Sequence, residues 1–228
     1  MPDLMLIGTA HVIDLSFPLE RHIRNFNPDL VALELDKQRW YALKANKKHT
    51  QGPVYLRLLA SLQKYISDSF GSSPGAEMMV ATEIASSLGS KLAFIDKPVL
   101  QTIQEAWKTM PWNEFFQLFK DSMISFVGGG DFSINKSIRT GDFSNELEQF
   151  SLQYPTLKSK LIDSRDIYMS KNLVKLFRDH NCEKIVAVIG EGHVDGMSRL
   201  LRRLNPRIVR LRDLLQNTDN SVSFTIEI

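Results

Sequence analysis

The chain alternates between short unbroken apolar runs and longer stretches in which apolar residues recur every three or four positions. The runs at 4–8, 30–35 (LVALEL), 91–96 (KLAFID) and 184–189 show little alternation, which predicts strands covered on both faces. RIVRL at 207–211 predicts a further short strand, and VSFTIEI at 222–228 alternates as a half-exposed edge strand does. Helical spacing predicts helices near 17–26, 36–48, 54–69, 75–88, 156–180 and 194–204. Asp14 or Ser16 can cap the first of these, Asn27-Pro28 stops it, and Gly89 closes the fourth. Strands alternating with helices predict an α/β fold with a central, mostly parallel or mixed sheet flanked by helices.

From 99 to about 160 the texture changes. Three or four helical patterns follow one another without a clear strand. They carry Trp107, Trp112, Phe115, Phe116, Phe119 and Phe126 and are interrupted by Gly128, Gly129 and Gly130. Residues 99–160 therefore read as a helical insertion within a single domain spanning 1–228. The insertion is either a lid over the sheet's carboxyl edge or a helical layer packing its own small core.

Composition narrows the function classes. The chain has 228 residues, 43% of them hydrophobic and 24% charged, with a net charge of +2. That balance makes no case for nucleic acid or an anionic membrane as a global partner. Arg199, Arg202, Arg203, Arg207, Arg210 and Arg212 form a basic cluster without interleaved aromatics. It reads first as a solvated face and second as a docking place for an acidic partner. A single cysteine, Cys182, excludes an intramolecular disulfide and a zinc–thiolate cluster. MPDLMLIG reads as a strand and not as a leader, and no apolar run reaches ~18 residues. A cytoplasmic protein is expected, or the soluble domain of a membrane-anchored one, with homo-oligomerisation left open.

The chemistry concentrates around IVAVIGEGHVDG at 185–196. A buried strand there runs into a polar turn in which Gly190 and Gly192 permit a sharp bend and close backbone approach, and His193 follows. GTAH at 8–11 repeats the grammar, so two strands each deliver a histidine, His11 and His193, through Gly-x-x-His. Ligand sites of open α/β sheets form at the carboxyl ends of the strands. Glu34 lies near the end of a buried strand. Glu77 shares the stripe of Ala81 and Ile84, and Arg165 that of Leu161 and Met169.

A buried carboxylate is costly unless it is paired, hydrogen-bonded or metal-bound. Two neutral imidazoles with one or two carboxylates suit Zn²⁺, Mn²⁺, Co²⁺ or Fe²⁺, and a carboxylate left over can serve as general base. Structural readings stand beside these. Either histidine can be a loop hydrogen-bonder. Glu34 can bond backbone amides or pair with Arg165, Glu77 can sit near its helix's positive end, and Arg165-Asp166 can be a structural ion pair. His22 and His49 read as exposed, and His180 as a helix end. Gly190-Glu191-Gly192 could hold an anion, although Glu191 would repel a phosphate. There is no P-loop, dinucleotide fingerprint or nucleophile elbow.

GTAHV at 8–12, VALEL at 31–35, GAEMMVA at 75–81, IDKP at 95–98, SRDIYM at 164–169 and VIGEGHVDGM at 188–197 together resemble the TraB/PrgY family, in the same order. The resemblance runs over nearly the whole chain. That family is similar to the Tiki metalloproteases and, more distantly, to the erythromycin esterase and ChaN-like haem-binding group. The resemblance implies a divalent-metal, peptidase-like site, with Mn²⁺ or Co²⁺ held by His11 and His193 together with Glu34 or Glu77. With Zn²⁺ kept open from the donor set, His11, His193 and Glu34 are the expected ligands and Glu77 a further ligand or the base. Relatives named PrgY limit pheromone signalling, by sequestering or cleaving the peptide. Lys97 stands where the resemblance leads one to expect arginine in an Asp-Arg pair, and it lacks the bidentate fork. The expectation is a metal-dependent hydrolase of peptide or amide bonds in which Glu34, Glu77 and Arg165 are catalytic. The rival is a binding protein without turnover that holds a peptide, haem-like or metal ligand. A third reading is an interaction module whose buried charges are purely structural.

Overall fold

The computed structural model describes residues 2–10, 15–44, 75–117, 120, 144–179 and 182–219. In chain order the elements are β1 (Asp3–Thr9), α1 (Ser16–Phe26), β2 (Leu30–Leu33), α2 (Lys37–Lys44), α3 (Ala76–Leu88) and β3 (Lys91–Phe94). Then come α4 (Val99–Thr109), α5 (Ser144–Gln153), α6 (Pro155–Lys158), a π-helical turn (Ser159–Asp163) and α7 (Ser164–Asp179). The chain continues with β4 (Lys184–Gly190), α8 (Glu191–Leu200), a 3₁₀ turn (Arg202–Leu204), β5 (Arg207–Val209) and α9 (Leu211–Asp219). The strands form one sheet in the order β3-β2-β4-β1-β5, and every neighbouring pair is parallel.

Burial on both faces explains the unbroken apolar runs. Met5, Ile7, Val31, Leu33, Val186 and Val188 point to one face, where they meet Leu19 and Ile23 of α1, Met78 and Ala81 of α3, and Leu211 and Leu214 of α9. Leu4, Leu6, Leu30, Ala32, Ile185, Ala187 and Ile189 point to the other, against Met169 and Leu173 of α7 and Val194 and Met197 of α8. Side chains alternate along each strand while both sides stay dry. Trp40 and Leu43 of α2 pack on the α1 face as well. The helix after β4 thus lies on one face, while the helices after its two neighbours, β1 and β2, lie on the other. β4 is the switch strand, and its carboxyl edge is the place where open α/β sheets form their crevice.

The predicted α/β architecture with a mid-chain helical insertion is present, with local differences. β2 and β3 end at Leu33 and Phe94, so Glu34 and Asp96 lie beyond the strands. Leu15, not Asp14 or Ser16, occupies the N-cap of α1, and no side chain caps it by a hydrogen bond. Asn27 ends the helix in the left-handed region at φ 49. The helix expected at 156–180 is interrupted by the π-helical turn, whose wider winding allows α6 and α7 to share one run. Within the insertion, the buried Glu114 carboxylate accepts the Thr156 N–H at 3.1 Å, just behind Pro155. Trp107, Trp112 and Phe115 pack edge to face. His22, expected at the surface, is half-buried, and burial followed by the charge of Arg21 lowers its pKa. His11, His49, His180, the helix at 54–69, the triple glycine and the edge strand at 222–228 lie outside the described residues. Among the described residues no helix is long and apolar enough to cross a membrane.

Candidate functional site

Parallel crossover topology brings the site together. Glu34 follows β2, and its position continues the alternation that turns Leu30 and Ala32 toward α7 and α8. Asp96 follows β3. α7 precedes β4 and α8 follows it, so both begin at the carboxyl edge and present their first turns there. Those turns carry Arg165, Asp166 and His193.

Arg165 is the centre. Its Nε and Nη2 donate to Asp96 at 2.9 and 2.8 Å, a bidentate fork. Nη2 also donates to Oε1 of Glu34, and Nη1 to the Leu161 carbonyl at 3.1 Å. Glu34 accepts the Gly190 N–H on Oε2 at 2.6 Å, and its Oε1 stands 3.2 Å from Nε2 of His193. The other ring nitrogen of His193, Nδ1, lies 2.6 Å from Oδ1 of Asp166. Ends of β2, β3 and β4 and starts of α7 and α8 are thus tied by one chain of charges. Glu34, Asp96, Asp166 and His193 are all buried.

The electrostatics follow from this enclosure. Burial works against the His193 charge, but the Glu34 carboxylate and the bond to Asp166 outweigh it and raise the pKa to about 9. His193 is therefore an imidazolium at neutral pH, with a carboxylate on each nitrogen. Burial raises the Asp166 pKa, opposed by the hydrogen bond to His193. Burial also works against the Arg165 charge, yet Glu34 and Asp96 raise its pKa further above an already high value.

The glycines of the two motifs make room for carboxylates. A Cβ at Gly196 would collide with Oδ2 of Asp166 and stand 2.8 Å from its Cγ. One at Gly8 would collide with Oε2 of Glu191 and stand 2.8 Å from Cγ2 of Val194. One at Gly190 would stand 3.3 Å from Oε2 of Glu34. The expected polar turn after β4 is absent. α8 begins at Glu191 directly, and His193 sits in its first turn.

Among the described residues no group of three or more His, Cys, Asp or Glu side chains is placed to hold a metal ion. This corrects the expectation of a Mn²⁺, Co²⁺ or Zn²⁺ site on His193, Glu34 and Glu77, and with it that of a metal-dependent peptidase or hydrolase. The physical reason is visible at each residue. Both ring nitrogens of His193 are engaged, Nδ1 by Asp166 and Nε2 by Glu34. Both oxygens of Glu34 are occupied by Arg165, His193 and Gly190. Glu77 is buried at the start of α3, which covers the opposite face of the sheet from α7 and α8. His11 lies outside the described residues.

Other expectations resolve structurally. Glu34 both accepts a backbone amide and pairs with Arg165. Arg165 and Asp166 take different partners rather than each other. Glu191 accepts the Leu211 N–H at 2.9 Å and an Arg210 N–H at 3.0 Å, so it anchors the start of α9. Burial raises its pKa, opposed by those two bonds. Lys97 reaches Glu105 at 2.5 Å, and the arginine fork onto Asp96 comes instead from Arg165. Asp96 and Asp166 were not among the predicted site residues. Asp166 did carry a signal, three residues before Met169 and seven before Leu173 on the buried stripe.

Fold and site define a doubly wound parallel α/β domain with a chain of paired, largely buried charges beside its switch strand. The chain belongs to the TraB/PrgY/gumN family, which it matches over residues 2–209. It is similar to the uncharacterized protein MJ1365 of Methanocaldococcus jannaschii, 33% identical over 232 aligned residues that cover 94% of this chain. The chain spans 57% of that relative's length.

Proposed function

We propose that this domain binds a peptide in the crevice beside β4 and holds it without cleaving it. The observation that carries the reading is the double engagement of His193 by Asp166 and Glu34. With a carboxylate on each ring nitrogen, His193 has no free nitrogen with which to take a proton from water, which supports an architectural role. The cluster around Arg165 contains three carboxylates, Glu34, Asp96 and Asp166, against two basic groups, Arg165 and His193. Its balance favours a cationic group such as a peptide amino terminus over a phosphate or carboxylate. Kinship with PrgY, whose role is to limit a peptide signal, supports the same class of ligand. Kinship with the Tiki and ChaN-like groups would then be one of ancestry and not of chemistry. The domain would act in the cytoplasm or as the soluble part of a longer, membrane-anchored protein, alone or as a homo-oligomer.

The test passes a heptapeptide library over the immobilised protein and reads bound and unbound fractions by mass spectrometry. Intact peptides should be retained, and N-acetylation should weaken retention. Cleavage products that disappear in His193→Ala would overturn the proposal, as would the absence of any retained peptide.

A further inference from the structure

A second feature lies on the outer side of α7 and α8, away from the sheet. Ile167, Lys171, Val174 and Arg178 recur at steps of four, three and four, so they form one solvent-facing stripe of α7. Leu200 and Leu201, from the end of α8, close the other wall. Together with Ser170 they line a cleft of about 390 Å³. Ile167 is 44% exposed, Val174 41% and Leu200 51%, three apolar side chains grouped in one concave place.

Two observations say what chemistry fits there. The rim is purely cationic. Lys171 and Arg178 are the charged residues of the lining, and among the described residues neither forms an ion pair. The floor holds Ser170, only 6% exposed, whose Oγ has no hydrogen-bond partner among the described residues. A buried hydroxyl without a partner is costly, and a bound backbone or side-chain polar group would relieve it.

We infer that the α7–α8 cleft docks an acidic amphipathic segment of a partner protein, its apolar side chains between Ile167, Val174 and Leu200 and its carboxylates on Lys171 and Arg178. The stripe from Ile167 to Arg178 is about 16 Å long at 1.5 Å per residue, which suits a helix of about three turns. A second copy of this chain fits poorly. Twofold pairing of α7 with itself would bring two lysines and two arginines together with no carboxylate from the lining. A membrane fits poorly too, because a concave cleft with a buried hydroxyl offers acyl chains neither a flat surface nor a reason to satisfy Ser170. The cleft is separate from the crevice beside β4, so this inference does not rest on the proposed peptide site.

The probe is a fluorescein-labelled 14-residue helical peptide with leucines at helical spacing and flanking glutamates, titrated into the full chain by fluorescence anisotropy. Saturable binding is expected. It should weaken at least tenfold in Val174→Asp and in Arg178→Glu, exposed positions where folding is checked by circular dichroism, and weaken further as salt rises from 50 to 500 mM. The same peptide with lysines in place of glutamates should not bind. No saturable binding, or binding unchanged in both variants, would overturn the inference. So would sedimentation of the chain with phosphatidylserine vesicles that Val174→Asp abolishes, which would assign the cleft to a membrane. Concentration-dependent dimerisation abolished by the same variant would assign it to a second copy and overturn the inference equally.

Discussion

Gly196 of α8 lies directly against the Asp166 carboxylate of α7, so close that a methyl group at 196 would occupy the place of Oδ2. The absence of a side chain at one position is what allows the other to reach His193. Gly196→Ala should therefore cost about 3 kcal/mol, by overpacking and by displacing half of a buried charge pair. Gly192→Ala provides the contrast. It lies in the same helix, and a Cβ there meets nothing within 4 Å. It should leave stability unchanged or raise it by about 0.5–1 kcal/mol. Urea unfolding of the two variants tests the pair, and equal effects would refute the close-approach account.

Stability should fall as pH rises through the alkaline range. The folded pKa of His193, about 9, exceeds the ordinary value of 6.5, so the folded state holds the proton more tightly than the unfolded one. The contribution is complete below about pH 6.5 and is lost as pH approaches and passes 9. Asp166, also raised, acts with the same sign at lower pH, starting from the usual carboxyl range. Glu34, Asp166 and Arg165 are the charged groups around the ring, so His193→Gln should flatten the decline between pH 6.5 and 9. Urea midpoints across that range, parent against variant, measure it.

Removing the guanidinium should be severe. Arg165→Leu leaves Glu34 and Asp96 buried without their shared cation, which should cost about 3–5 kcal/mol. Arg165→Lys should recover only part of this, because an ammonium cannot fork onto Asp96 and reach Glu34 as well. Lys97→Ala should unfold close to the parent, since its side chain pairs with the partly exposed Glu105 and not with Glu34 or Asp96. A Lys97 effect as large as that of Arg165 would show that the anchor has been misplaced.

Glu191→Ala should loosen the end of the fold without touching the charge cluster around Arg165. The side chain holds the first N–H of α9 and the Arg210 guanidinium. Its loss should cost about 1–2 kcal/mol, comparable with removing a helix cap. Hydrogen exchange should show faster exchange at Leu211 and along α9, with His193 retaining its raised pKa in an NMR titration.

The order of strands and helices was legible in the sequence because burial on both faces leaves a local mark, an apolar run that needs no partner to be recognised. Glu34, Glu77 and Arg165 stood out for the same reason, as charges on stripes that are otherwise apolar. What the sequence could not distinguish is why a charge is buried. A carboxylate awaiting a metal and one already neutralised by a guanidinium look alike in one dimension, and the partners here are far apart. Arg165 is 69 residues from Asp96 and 131 from Glu34. The glycines were ambiguous in the same way, since a bend and a close approach both demand the missing Cβ. Only the parallel crossovers, which deliver β2, β3, α7 and α8 to one edge, decided that these charges satisfy one another, because burial is local and pairing is not.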